Sequence, residues 1–253
     1  MSRLSDAFPR GRTALVCYAM GGDPSLQASE ELLRAVDSEG ADVIEIGLPF
    51  SDPIADGPTL QAAATRALRA GVTLPRLLDM VGRLRLRAPL VAMGYMNPIE
   101  RMGARTFAGA LARAGIAGAI VPDLPLEEAG PLRSELAEAG VDLVPLVAPT
   151  TGAERAAAIA REARGFLYYV SVTGVTGART ELPADLAARL RELRALSPVP
   201  LAVGFGISRP EQARALRGIA DGVVVGSALV SAHHEGGVKA AADLVRGLRA
   251  ALS

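Results

Sequence analysis

Asp42-Val43-Ile44-Glu45-Ile46-Gly47-Leu48-Pro49-Phe50-Ser51-Asp52-Pro53-Ile54-Ala55-Asp56-Gly57 is the stretch on which the reading of this chain turns. Val43 to Ile46 is a short β-branched run of the kind that makes a strand buried on both faces, yet it carries a carboxylate at Glu45. A charge in such a place must be paired, be protonated with a raised pKa, or do chemical work. The glycine and prolines that follow imply an immediate turn. Glu45 is therefore expected near the C-terminal end of a strand, with Ser51, Asp52 and Asp56 on the loop beyond it. Two readings of Glu45 compete: an acid satisfied by an arginine or backbone groups inside a barrel, and a general acid/base on a rim where several loops converge.

Outward from this stretch the chain alternates between strand and helix. Strands are expected at Thr13–Tyr18, Asp42–Ile46, Pro89–Gly94, Ala117–Val121, Asp142–Val147, Phe166–Ser171, Val199–Gly204 and Asp221–Val225. Between them lie helical stretches at Ser25–Ser38, Thr59–Ala70, Leu74–Leu86, Arg105–Ala114, Leu126–Ala139, Gly152–Ala163, Ala184–Leu196 and Pro210–Leu216, with a final one from about Gly237 to Leu252. Ser25 is placed to cap the first helix and Gly40 to end it. Apolar strands separated by helices argue for parallel β-α units, and eight such units close a (β/α)8 TIM barrel. The rival, an open doubly wound sheet, lacks its fingerprint: no G-x-G-x-x-G lies on the first strand-to-helix turn, where Gly21-Gly22-Asp23-Pro24 stands instead. No linker divides the chain, so residues 1–253 read as a single domain.

Half of the 253 residues are apolar and the formal net charge is zero, with no long run of like charge. Neither a nucleic-acid footprint nor a polybasic membrane surface is indicated, which leaves a small molecule or another protein as partner. The lone Cys17 excludes an internal disulfide and fits a reducing compartment. No secretion signal or bilayer-length apolar run is present, so a cytoplasmic location is expected.

Scarce residue types narrow the chemistry. Lys239 is the only lysine and lies in a C-terminal helical stretch, a poor place for a Schiff-base amine. His233 and His234 are the only histidines; as neighbours on one helix they diverge, which suits neither a spaced metal-ligand set nor a triad. No metal site is expected. The chemistry falls to carboxylates, hydroxyls and backbone amides.

In a barrel the loops after the strands share one face, which gathers Glu45 and Asp56 with Tyr18, Tyr95, Asp123 and Tyr168. Each has a plainer reading: the tyrosines as core aromatics, and Asp123, ahead of Leu124 and Pro125, as a turn former. Three glycine loops carry a phosphate argument. Gly174-Val175-Thr176-Gly177 follows the sixth strand, Gly204-Phe205-Gly206 ends the seventh, and Gly226-Ser227 ends the eighth where a short helix-like run, Ala228 to Ala232, begins. Glycines let backbone N–H groups approach an anion, a helix N-terminus adds partial positive charge, and the last loops of a barrel commonly hold a phosphate. The segment after Gly177, through Leu182, is either a lid or an ordinary solvated loop.

The run from Ile44 to Gly57 resembles the signature of the tryptophan synthase α subunit family. Gly22-Asp23-Pro24, Gly174-Val175-Thr176-Gly177, Gly204-Phe205-Gly206-Ile207-Ser208 and Gly226-Ser227 resemble its other motifs in order. The resemblance implies a TIM barrel that cleaves indole-3-glycerol phosphate to indole and glyceraldehyde 3-phosphate without a cofactor of its own. It further implies a β-subunit partner, in an αββα heterotetramer, that uses pyridoxal phosphate and receives the indole through a tunnel. By position it makes Glu45 the acid/base, Asp56 the carboxylate that holds the indole N–H, and Tyr168 their support. Tyr18, Met93, Ile120 and Leu146 would bound the ring, with Tyr95, Asp123 and Thr176 also at the substrate. Gly177, Gly204, Phe205, Gly206, Gly226 and Ser227 would bind phosphate, and Pro49 and Asp52 would face the β subunit. Two other readings stand beside this one: another phosphate-binding barrel isomerase or lyase, and a non-catalytic activator of a β subunit.

Overall fold

A computed structural model of the chain describes residues 3–170, 184–204 and 206–253. Its strands are β1 (Ala14–Met20), β2 (Val43–Gly47), β3 (Leu90–Met93), β4 (Ile116–Ile120), β5 (Asp142–Val144), β6 (Leu146–Val147), β7 (Leu167–Val170), β8 (Leu201–Gly204) and β9 (Gly222–Val225). They form one sheet in the order β5-β4-β3-β2-β1-β9-β8-β7-β6, with every pairing parallel. The two ends of that order are neighbours in the chain, separated only by Pro145. The expected fifth strand is thus a single strand broken by a residue with no N–H to give the ladder. Its first half pairs with β4 and its second with β7, where the Tyr168 N–H donates to the Pro145 carbonyl at 3.0 Å. The ring closes across this break, and the architecture is a (β/α)8 barrel.

The helices are α1 (Leu26–Ser38), α2 (Pro58–Arg69), α3 (Leu74–Arg83), α4 (Met96–Met102), α5 (Ala104–Arg113), α6 (Gly130–Glu138), α7 (Ala153–Glu162), α8 (Ala184–Leu196), α9 (Pro210–Arg214) and α10 (Ser227–Leu252). Ser25 caps α1, its side chain accepting from the Ala28 N–H, and Gly40 follows the helix with φ 97°. Two expectations need correction. Helix α4 was not foreseen. Helix α6 starts at Gly130 rather than Leu126, because Leu126 to Ala129 is taken up in turns closed by Pro125 and Leu126 carbonyls. The Ala228–Ala232 run and the final helix are both present, as two helical stretches of α10 that meet at the non-helical Gly237, where φ is 66°.

Strand side chains alternate between two environments. Leu15, Cys17, Ala19, Ile44, Ile46 and Ala92 pack outward against the helices, whereas Val16, Val43, Val91, Ile120, Val144, Phe166, Ala202 and Val224 fill the barrel interior. The N-terminal floor is closed by Leu4 and Phe8: Phe8 lies 5.3 Å from the Phe166 ring. A side chain at Gly222 would bring its first carbon within 2.6 Å of Phe8, and one at Gly118 within 2.8 Å of Leu4. Glu45 shares the parity of Val43, so it points into the barrel, one step nearer the C-terminal mouth.

Candidate active site

Glu45 is 1% exposed, and its Oε2 has no hydrogen-bond partner among the described residues. In register it stands between Tyr18 on β1 and Val91 on β3. Burial, with a smaller push from the Asp56 charge, raises its carboxyl to about 8. The acid is therefore held protonated at neutral pH in a wall of apolar strands. Among the described residues no arginine or backbone group meets Oε2, as the first of the two sequence readings would require.

Asp56 comes from the loop after β2, directly before the Gly57 cap of α2. Partial burial raises its carboxyl too, but a hydrogen bond from Tyr95 favours the charged form. The Tyr95 hydroxyl also accepts from the Ala55 N–H at 3.2 Å, and its ring lies 5.6 Å from Phe50. Tyr95 thus grips the Asp56 loop at two points. It lies beyond the third strand, as the N-cap residue of α4. Asp123 accepts from the Met96 N–H through both oxygens, at 3.0 and 3.1 Å, so its carboxylate sits on the first turn of α4 and steadies Tyr95.

Tyr18 and Tyr168 enter the same space. Both phenols are pushed up, mainly by burial and then by Glu45 and Asp56, so both stay neutral donors. Their hydroxyls fit only because glycine stands opposite. A first side-chain carbon at Gly47 would lie 2.1 Å from the Tyr18 oxygen, and one at Gly204 would lie 3.0 Å from that of Tyr168. Gly47 reads in the sequence as a turn residue; its steric role depends on register across two strands.

Met93, Ile120 and Leu146 line the interior beside Tyr168. Met93 also packs with Tyr18, Met20, Ala63, Ala64 and Val230 under the face of α2, which roofs one side of the mouth. Gly204 ends β8, Gly206 follows in the left-handed region at φ 61°, and Gly226 caps the N-terminus of α10 at Ser227. A first side-chain carbon at Gly226 would lie 3.8 Å from the Tyr18 Cβ, so this amide-rich corner adjoins the carboxylates. Thr176, Gly177 and Phe205 lie outside the described residues. Pro49 is half-buried beside Tyr95, and Asp52 is exposed with its carboxylate accepting from the Ser51 hydroxyl. Ile54, on the same loop, is 79% exposed.

The mouth therefore joins a protonated acid, a second carboxylate that accepts from Tyr95, an apolar slot and the glycines Gly204, Gly206 and Gly226. Residues 4–250 match the family model described as tryptophan synthase alpha chain. The chain belongs to the tryptophan synthase alpha chain family. It is 51% identical to the tryptophan synthase alpha chain of Citrifermentans bemidjiense, over 91% of this chain and 88% of that one. It is 49% identical to that of Synechococcus elongatus, over 100% and 97%. Its fold superposes on a structure of Mycobacterium tuberculosis tryptophan synthase with a TM-score of 0.92 at 39% identity, covering 99% of this chain and 98% of that one. The tryptophan synthase alpha chain family cleaves indole-3-glycerol phosphate to indole and glyceraldehyde 3-phosphate, and this chain is a carbon–carbon lyase of that kind. The family works with a β partner, to which the pyridoxal phosphate belongs. Among the described residues no helix is long and apolar enough to cross a membrane.

Proposed function

We propose that Glu45 and Asp56 carry the lyase reaction as a pair with opposite protonation states. Glu45 gives its proton to C3 of the indole ring. The positive charge that develops on the ring nitrogen is stabilised by the Asp56 carboxylate, which accepts a hydrogen bond from the ring N–H. Glu45, now a carboxylate, takes the proton of the adjacent glycerol hydroxyl. The carbon–carbon bond breaks as that oxygen becomes the aldehyde carbonyl, and its electron pair restores the neutral indole. Glu45 ends protonated, ready for the next turnover.

Tyr168 supports the pair from β7, and Tyr18, Met93, Ile120 and Leu146 bound the ring, with Tyr95, Asp123 and Thr176 around the substrate. Gly177, Gly204, Phe205, Gly206, Gly226 and Ser227 cradle the phosphate. Pro49 and Asp52 face the β subunit in an αββα assembly that takes up the indole through a tunnel. The 253 residues act as one cytoplasmic domain without a bound cofactor. The observation that carries the mechanism is the buried Glu45, raised to about 8 within the field of Asp56, because the first step needs an acid and the second its conjugate base.

The test is to incubate the chain with indole-3-glycerol phosphate, alone and with a cognate β chain. Release of indole and glyceraldehyde 3-phosphate in equal amounts is expected, faster with the partner. Turnover of a different phosphosugar would favour an isomerase, and no indole in either case would leave an activator without catalysis.

A further inference from the structure

Helix α2 begins one residue after Gly57, so its placement decides where Asp56 points. The Gln61 side-chain amide donates back to the Asp56 carbonyl at 2.9 Å, tying the first turn to that residue. The buried face of α2 is Ala63, Ala64 and Ala67. Ala63 and Ala64 lie against Tyr18, Met20 and Val230 with only the partly buried Leu60 beside them, and Ala67 joins the core behind the sheet, so the fully buried part of this face is methyl-sized. An alanine face resists sliding and rotation weakly, since little shape complementarity sets one register over the next.

What fixes the helix lies at its far end. Arg66 Nε donates to Asp23 Oδ1 and Nη2 to Oδ2, each at 2.7 Å, a two-pronged pair with Asp23 only 3% exposed. Such a planar fork specifies orientation as well as distance. Asp23 is itself held in the turn after β1, its N–H donating to the Met20 carbonyl at 3.3 Å. Beside it, Val72, just beyond α2, packs so closely on Gly22 that a side chain there would come within 2.5 Å. The buried His233, on the helix that starts at Ser227, lies in the field of both Asp23 and Arg66.

We propose that Asp23 and Arg66 are positioning residues for the lyase reaction: their ion pair sets the register of α2 on the barrel and so aims Asp56 at the substrate ring. The proposal rests on the role given above to Asp56. Arg66 stands ten residues from Asp56, about 15 Å along the helix, and touches no reacting atom. Its effect belongs in kcat, because a small misplacement of a charge-stabilising carboxylate is felt in the transition state.

Two variants separate this from mere support of the fold. Arg66→Lys keeps the charge and loses the fork. Asp23→Leu with Arg66→Met replaces the ion pair by an apolar contact, an exchange that commonly preserves or raises stability. With melting measured and rates expressed per folded molecule, both are expected to lower kcat about tenfold or more while KM changes less than about twofold. The acidic limb of the kcat profile, which reports Asp56, is expected to move in both. If either folded variant kept wild-type kcat and an unmoved acidic limb, the positioning role would be lost. Should the wild-type chain itself fail to cleave indole-3-glycerol phosphate, with or without a β chain, the assignment of Asp56 fails instead.

Discussion

Two carboxylates three residues apart, at the two ends of one strand region, meet opposite fates. Asp42, at the N-terminal end of β2, is saturated. It takes a two-pronged bond from Arg12 at 2.6 and 2.8 Å, another from Arg249 at 2.7 Å, and the Leu15 N–H at 2.8 Å. Glu45, nearer the mouth, is as deep as a side chain can be, with one oxygen unmet and its pKa raised. The same strand therefore carries one acid that holds the barrel together and one that weakens it. Satisfaction of the charge, and not depth alone, tells them apart.

The largest expected effect comes from removing the acid at the mouth. Glu45→Gln should lower kcat roughly a thousandfold, as loss of a general acid/base does, with the circular dichroism spectrum unchanged. The same variant sharpens the comparison through pH. The folded pKa, about 8, lies above the ordinary 4.5, so between those values the native chain binds more protons than the unfolded one. Wild-type stability must then fall as pH rises through that window. Glutamine has no such proton to lose, so the variant should gain on wild type from pH 4.5 and level off above about 8 in denaturant titrations. A gap that does not grow with pH would show that Glu45 is charged in the fold.

Asp42→Asn should do the reverse. Two arginines lose their acid at the floor, and Arg249 is only 15% exposed at its side chain. Stability should drop by about 2–3 kcal/mol in chemical unfolding, while kcat per folded molecule stays at the wild-type value. A kcat loss in that variant would dissolve the division between floor and mouth. Tyr95→Phe comes next: without its hydroxyl Asp56 loses a donor, and kcat should fall about tenfold, most at low pH where Asp56 takes up a proton. The smallest effect belongs to the exposed Lys239–Asp243 pair on α10, where Lys239→Ala should leave the melting temperature and turnover unchanged.

The barrel and the buried glutamate on its second strand are legible in the sequence because both are local signals. A β-branched run needs only its own residues to reveal a strand, and a glutamate inside one is anomalous wherever it occurs. What escaped notice depends on contacts between distant segments. Helix α4 runs from Met96 through Asn97 and Pro98, and its first turn is stabilised by Asp123, from the loop after the next strand. Gly47 yields to a tyrosine on the adjacent strand, and Arg66 finds Asp23 across 43 residues. Pro145 was visible all along, yet its apolar flanks hid the break in the strand.

That break has a consequence for the slot that receives the ring. Met93 and Ile120 belong to the wall that ends at Val144, whereas Leu146 and Tyr168 are carried by the short pair beyond Pro145. Two plates meet along a hinge line there, each hydrogen-bonded to its own neighbour. Substitutions behind one plate can widen or narrow the slot for differently substituted indoles while leaving the proton-transfer pair, on the opposite arc of the ring, where it stands.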